Sequence, residues 1–251
     1  MKKQPKFTLI GAGPGDPELI SVKGLKALSI ADVVLYDALV STELLVHAPN
    51  ALKIFVGKRA ANHAKTQDEI NQLIVDYAFS HGHVARLKGG DSFVFGRGFE
   101  EMQYAEQFAI ETEVIPGITS AISVPALHNI PVTKREVSES FWVITGATSD
   151  GRVSDDVKLA AQSNATIVIL MGLGKLNEIV NIFKEAKKSS LPVAVIQSGS
   201  LPNENIAIGT IETIEKQVAE KELKTPAIIV IGEVVRLSKE FKQLKKELQN
   251  A

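Results

Sequence analysis

Asp37 and Lys58 stand just past the ends of two apolar runs, in Leu35-Tyr36-Asp37 and Val56-Gly57-Lys58. If both runs are strands pointing the same way, the two side chains share one crevice. There a carboxylate accepts a proton, and an ammonium donates one or neutralises developing charge. An arbitrary Asp and Lys so placed are more commonly a solvated salt bridge. A second segment, Arg86-Leu87-Lys88-Gly89-Gly90-Asp91-Ser92-Phe93-Val94-Phe95-Gly96-Arg97-Gly98, exposes backbone at a strand end through its paired glycines. Asp91 offers a carboxylate to an amine or a ribose, and Phe93, Val94 and Phe95 supply an apolar wall. That mixture suits a cationic, partly apolar sulfonium nucleoside. An isolated Gly-Gly-Asp is more commonly a loop in which the aspartate caps a helix.

Gly11-Ala12-Gly13-Pro14-Gly15-Asp16-Pro17 invites a phosphate-cradle reading, which its details disfavour. The third glycine of a dinucleotide fingerprint would fall on Asp16, and no Walker lysine follows. Pro14 and Pro17 each remove a backbone N–H that phosphate would use. The expected helix cap, Ser21, comes several residues too late. Basic residues gather near other strand ends and connections: Lys58, Arg59, His63, Lys65, Arg86, Lys88, Arg97, Lys134 and Arg135. On a chain of net charge −1 they are expected to form a local grip for a polyanion, since no global basic field exists to attract nucleic acid or a membrane surface. No cysteine is present, which excludes disulfides, thiolate metal sites and cysteine nucleophiles. The histidines show no HExxH spacing, and no metal is assigned.

The elements that must position these residues follow from periodicity. The chain has 251 residues, 45 % of them hydrophobic and 23 % charged, enough for one large domain or two lobes with a real core. Strands are predicted at 7–11, 32–36, 52–56, 83–88, 112–115, 141–145, 166–171, 193–197 and 227–231. Ile70, Leu73, Ile74, Tyr77 and Ala78 recur at helical spacing and predict a helix over 67–80. Further helices are expected after Ser21, at 175–187, at 211–223 and in the tail from Ser238, where Phe241, Leu244 and Leu248 share a face. Strands alternating with helices imply parallel βαβ units. A change of pattern around 125–140 places the joint between two lobes at 134/135. The basic start lacks the long apolar core of a signal peptide, and no stretch approaches the ~20 apolar residues of a membrane span. A cytoplasmic protein is expected.

Taken together, LIGAGPGDPELISVKG (9–24), ADVVLYDALVS (31–41), VGKR (56–59), RLKGGDSFVFGRGFEE (86–101), VIPGITSA (114–121), IPVTKR (130–135), MGL (171–173) and PAIIVIGEVV (226–235) resemble the tetrapyrrole methylase family. The resemblance spans roughly residues 7–237. It implies two α/β lobes, the N-terminal sheet mostly parallel and the C-terminal sheet mixed, with S-adenosyl-L-methionine in the cleft between them. The likeness is strongest to stand-alone members that methylate uroporphyrinogen III at C-2 and C-7 to give precorrin-2. A small-molecule tetrapyrrole polycarboxylate is thus the expected substrate, and a homodimer the expected assembly. Position by position, the implied cofactor contacts are Pro14, Gly89, Gly90, Asp91, Val94, Thr119, Ser120, Met171, Gly199 and Ala227. Asp37 corresponds to the proton acceptor and Lys58 to the proton donor. The chain departs from the family pattern at Ser92, where proline is usual, at Ala38, where arginine is common, at Lys134, where histidine is common, and over 145–155.

Overall fold

A computed structural model describes residues 3–57 and 65–249, with side chains of the last helix described through Leu244. It resolves into two compact units, Met1–Thr119 and Ser120–Ala251. The expected joint at 134/135 therefore comes too late. Residues 120–134 belong with the second unit because Ala121, Val124 and Ile130 bury themselves in its core.

The first unit alternates β1 (Lys6–Gly11), α1 (Val22–Ser29), β2 (Val33–Tyr36), β3 (Leu52–Phe55), α2 (Gln67–His81), β4 (His83–Lys88), α3 (Gly98–Glu106) and β5 (Glu111–Ile115). Its sheet runs β3-β2-β4-β1-β5, and every pairing is parallel. Helices cover both faces, so the inner strands read as nearly unbroken apolar runs. The period of two still sorts the side chains. Ile10, Val34, Ala85 and Leu87 pack with Leu28 of α1 and with Leu44. Leu9, Val33, Leu35 and Val84 pack on the opposite face with Ile70, Ile74 and Ala78 of α2 and Ala105 of α3. Each fully buried aliphatic side chain of this kind contributes about 1.5–3 kcal/mol.

Local signals set the helix ends. Ser21 accepts the Gly24 N–H, the cap expected from sequence. Thr66 and Glu69 form a reciprocal capping box at the start of α2, satisfying two otherwise orphaned donors. The expected stripe on α2 appears, with Ile70, Ile74 and Ala78 buried and Leu73 and Tyr77 half-buried against them.

The second unit contains α4 (Ser120–Leu127), β6 (Phe141–Thr145), α5 (Asp156–Gln162), β7 (Thr166–Leu170), α6 (Leu176–Glu185), β8 (Pro192–Gln197), β9 (Asn205–Thr210), α7 (Ile214–Glu220), β10 (Ala227–Ile231) and α8 (Lys239–Gln249). Its sheet order is β6-β7-β10-β8-β9. β6 and β7 are parallel, and the remaining pairings are antiparallel. The sheet is mixed, as the family resemblance implied. β9 escaped sequence reading; it returns antiparallel along β8, with Ala207 and Ile208 packing on opposite faces. α4 escaped too, because Pro125 lies inside it. Among the described residues no helix is long and apolar enough to cross a membrane.

One buried polar pair gives the first unit a pH response. His83 Nε2 lies 2.8 Å from Thr8 Oγ1. Burial, reinforced by the nearby Lys6 charge, holds the imidazole below the ordinary histidine range. The unfolded chain therefore takes up this proton at higher pH than the folded one. Stability is complete above the unperturbed value of about 6.5 and declines as pH falls through it toward the lowered folded value. We expect the urea midpoint to fall between about pH 7.5 and about pH 5.5, and to fall less in His83→Gln. Equal declines in both proteins would show that His83 is not responsible.

Candidate active site

Asp37 follows β2 directly, and Lys58 follows β3 after Val56 and Gly57. The two strands are parallel neighbours, so their carboxyl ends lie at one edge of the sheet, as the sequence reading required. Lys58, Arg59 and His63 themselves lie outside the described residues. A Cβ added at Gly57 would lie 2.5 Å from the Ala38 backbone N, so the chain leading to Lys58 runs against the residue that follows Asp37. Asp37 Oδ1 accepts the Leu39 N–H at 3.1 Å, and Oδ2 faces Arg86 NH2 at 3.6 Å. The aspartate is thus ion-paired, with an inward-facing arginine rather than at the surface.

That arginine belongs to a buried charge cluster. In β4, Val84, Arg86 and Lys88 point to the α2/α3 face by the strand period of two. Arg86, Lys88 and Glu101 of α3 are all buried, Glu101 completely. Lys88 Nζ donates to Glu101 Oε1 at 2.7 Å, and Arg86 Nε lies 3.4 Å from Glu101 Oε2. Gln67 of α2 donates to the same Oε1 at 3.2 Å. Burial, and next the neighbouring Arg86 charge, hold Lys88 below the ordinary lysine range. Arg86 and Lys88 were expected to grip an anionic ligand; both are instead spent inside the protein. Charges on an interior strand need buried partners. Glu101, the partner, carried no role in the sequence reading. Its signal was indirect: two cations two residues apart in an otherwise apolar strand demand an acid from the helix that covers them.

The glycines also have a different first task than the one expected. Gly13 and Gly90 form an antiparallel bridge, with Gly90 N–H donating to the Gly13 carbonyl at 2.6 Å. An added Cβ at Gly117 would lie 2.3 Å from Gly90 O and 2.6 Å from Gly11 C. The ends of β1, β4 and β5 thus meet backbone to backbone. Gly90 (φ 67°) and Gly13 (φ 83°) also occupy the left-handed region that glycine enters without steric cost. Asp91 secures the arrangement rather than capping a helix. Its Oδ1 accepts the Phe93 N–H at 2.8 Å, and its Oδ2 accepts the Gly117 N–H at 3.0 Å. Each carboxylate oxygen has a further lone pair for a ligand donor. Beside it Phe93, Phe95 and Phe99 are exposed, with Phe93 and Phe99 edge to face at 6.1 Å. Pro14 and Val94 are half-buried in the same pair of loops.

In the second unit, Met171 follows the end of β7, Gly199 follows β8, and Ala227 begins β10. Because β10 is antiparallel to both neighbours, the three positions share one edge of that sheet. Met171 is exposed and holds φ at 57°, while Ser198 and Ser200 on either side of Gly199 have φ of 49° and 73°. Positive φ at three such residues is uncommon and collects where function constrains a loop. Gly199 is filled against Val124, whose Cγ1 lies 2.3 Å from an added Cβ. Thr119 closes the first unit and Ser120 opens α4; both are half-buried. Among the described residues no group of three His, Cys, Asp or Glu could hold a metal.

The family model for tetrapyrrole (corrin/porphyrin) methylases matches residues 6–215. The chain belongs to the tetrapyrrole methylase family. It is 47 % identical over 235 residues to the uroporphyrinogen-III C-methyltransferase of Methanocaldococcus jannaschii, covering 92 % of this chain and 97 % of that one. It is 45 % identical to a siroheme synthase of Actinobacillus pleuropneumoniae, covering 96 % of this chain but only 50 % of the longer relative. Among solved structures, the Thermus thermophilus uroporphyrin-III C-methyl transferase in complex with S-adenyl homocysteine superimposes with a TM-score of 0.79. That pair is 35 % identical, with 92 % of this chain and 99 % of the other covered.

Membership gives the departures noted in sequence a structural reading. Ser92, where this methylase family usually has proline, is buried, and its carbonyl accepts the Gly98 N–H at the start of α3. Ala38 is exposed beside Asp37, so the missing arginine removes a surface cation and leaves the aspartate's internal pair intact. The glycine junction yields a direct test in this methylase. Gly117→Ala should cost about 1–3 kcal/mol by urea unfolding, as overpacking does. Gly174→Ala, with nothing within 4 Å of the added Cβ, should stay within about 0.5 kcal/mol. Equal stabilities would remove the junction from the fold's requirements.

Proposed function

We propose that this chain is an S-adenosyl-L-methionine-dependent methyltransferase acting on uroporphyrinogen III. It methylates C-2 and then C-7, or the reverse, to give precorrin-2 and two S-adenosyl-L-homocysteine for sirohaem or cobalamin biosynthesis. The observation that supports this most strongly is the 47 % identity, over nearly the full length of both chains, to a uroporphyrinogen-III C-methyltransferase. The solved relative holding S-adenyl homocysteine supports the cofactor.

The residues present fit such a cofactor. Gly89 and Gly90 are half-buried where a strand ends, Asp91 keeps acceptor capacity, and Val94 with the exposed phenylalanines supplies apolar surface. We assign cofactor contacts to Pro14, Gly89, Gly90, Asp91, Val94, Thr119 and Ser120, and to Met171, Gly199 and Ala227. When bound, the cofactor supplies an electrophilic methyl on a sulfonium sulfur. An electron-rich pyrrole carbon can form the new bond without strong activation, so the chain's main task is to hold carbon and methyl at attack distance. Asp37 accepts the proton lost on methylation at its carboxylate, and Lys58 serves as proton donor. Arg97, exposed but held by Glu100 at 2.6 Å, and the exposed Lys134 and Arg135 remain to meet substrate carboxylates, now that Arg86 and Lys88 are committed inward. A homodimer and a cytoplasmic location complete the reading.

Anaerobic incubation with uroporphyrinogen III and methyl-labelled cofactor tests it. Label should appear in a precorrin-2 chromophore; intact cofactor binding without label transfer would overturn the substrate. Asp37→Asn should lower turnover by about 10²-fold or more while calorimetric binding of S-adenosyl-L-homocysteine stays unchanged.

A further inference from the structure

We propose that Arg86 is a positioning residue for Asp37, a guanidinium locked in the interior whose remaining face orients the carboxylate at the strand edge. This rests on the reading of Asp37 as the proton acceptor. Two observations support it, one of charge and one of geometry.

The charges of the buried cluster do not balance without Asp37. Arg86 and Lys88 are two buried cations, and Glu101 is a single buried anion. Lys88 takes the closer contact to Glu101 at 2.7 Å. Arg86 meets the other carboxylate oxygen only at 3.4 Å, where its Nε and Glu101 Oε2 make no hydrogen bond. A surplus positive charge in a desolvated site is costly unless an anion faces it. The group that faces it is Asp37, with Oδ2 3.6 Å from Arg86 NH2. Among the described charged groups Lys88 also acts on Asp37 electrostatically, from the same strand but tied to Glu101.

The geometry makes Arg86 a rigid support. Its NH1 donates to the Leu87 carbonyl at 3.0 Å and approaches the Leu35 carbonyl at 3.5 Å. Leu35 is the register partner of Arg86 across the β2/β4 pair, and Asp37 lies two residues further along the chain, just past the end of β2. The guanidinium thus spans from Glu101 of α3, past the β2 backbone, to the carboxylate. On the other side, the Leu39 N–H holds Oδ1. Asp37 is fixed at both oxygens, yet the 3.6 Å separation from Arg86 exceeds hydrogen-bond length. Oδ2 therefore keeps lone-pair capacity to receive a proton. Arginine suits this task because its fork can donate in several directions and does not lose its proton.

The test compares Arg86→Gln, Arg86→Lys, Asp37→Asn and the Arg86→Gln/Asp37→Asn double variant. Folding is checked by circular dichroism, and cofactor binding by calorimetry with S-adenosyl-L-homocysteine. Methyl transfer to uroporphyrinogen III is followed anaerobically, with kcat and both KM values determined. Removing the guanidinium charge should lower kcat by about tenfold or more. Both KM values and the affinity for S-adenosyl-L-homocysteine should stay at wild-type levels, because neither ligand loses a contact. Arg86→Lys, which keeps the charge but loses the fork, should lose a smaller part of kcat, again with both KM values unchanged. In the Asp37→Asn background, Arg86→Gln should add little further loss, as expected when one residue acts through the other. A folded Arg86→Gln with wild-type kcat overturns the proposal, as does a full additional loss in the double variant. If Arg86→Gln fails to fold, Arg86→Lys decides: reduced kcat at unchanged KM supports the role, and wild-type kcat overturns it. Wild-type turnover in Asp37→Asn would instead overturn the proton-acceptor reading itself.

Discussion

Glu101 is a fully buried carboxylate, and the first unit is arranged around meeting its charge. A buried anion is tolerated only when paired and hydrogen-bonded. Glu101 reaches that state through three side chains on two elements, Lys88 and Arg86 from β4 and Gln67 from α2. The contacts fix α3 and α2 on the same face of the sheet, and they fix which face of β4 looks toward them. Because Arg86 continues to the end of β2, the same charge pattern reaches the proposed proton acceptor. Stability and chemistry thereby draw on one set of side chains.

A second constraint is steric. β1, β4 and β5 end in glycines whose backbones approach more closely than any side chain permits. Asp91 ties the junction by accepting the Gly117 N–H, so the loops proposed to hold the cofactor are packed against one another. Such a surface is preorganised, since little ordering remains to be done when a ligand arrives. The second unit offers a comparable edge, where Met171 and the serines flanking Gly199 hold left-handed backbone.

Much of this was legible in the chain. All nine predicted strands are present, because each is a short run rich in apolar and β-branched residues between turn or helix signals. The helix over 67–80 was legible from its stripe, and Ser21 was legible as a cap. Harder to see were β9, whose place depends on a return along β8, and α4, where an interior proline argues against a helix. The same proline-rich stretch drew the lobe joint to 134/135. The chain passes into the second core at Ser120, as the burial of Ala121 and Val124 shows.

Residue types and spacing by themselves determined the α/β class, the family, and the segments on which its chemistry rests. They did so because backbone needs at strand ends and helix starts are local, and each leaves a local mark such as glycine, proline or a capping hydroxyl. Only the tertiary structure decided which charges face a ligand and which face each other. Arg86, Lys88 and Arg97 are alike in sequence, all basic and near a glycine-rich loop. Burial separates them: the first two share Glu101 in the interior, while Arg97 stays exposed. That distinction depends on a carboxylate 13 to 15 positions away reaching the same face of a strand, which no local pattern encodes.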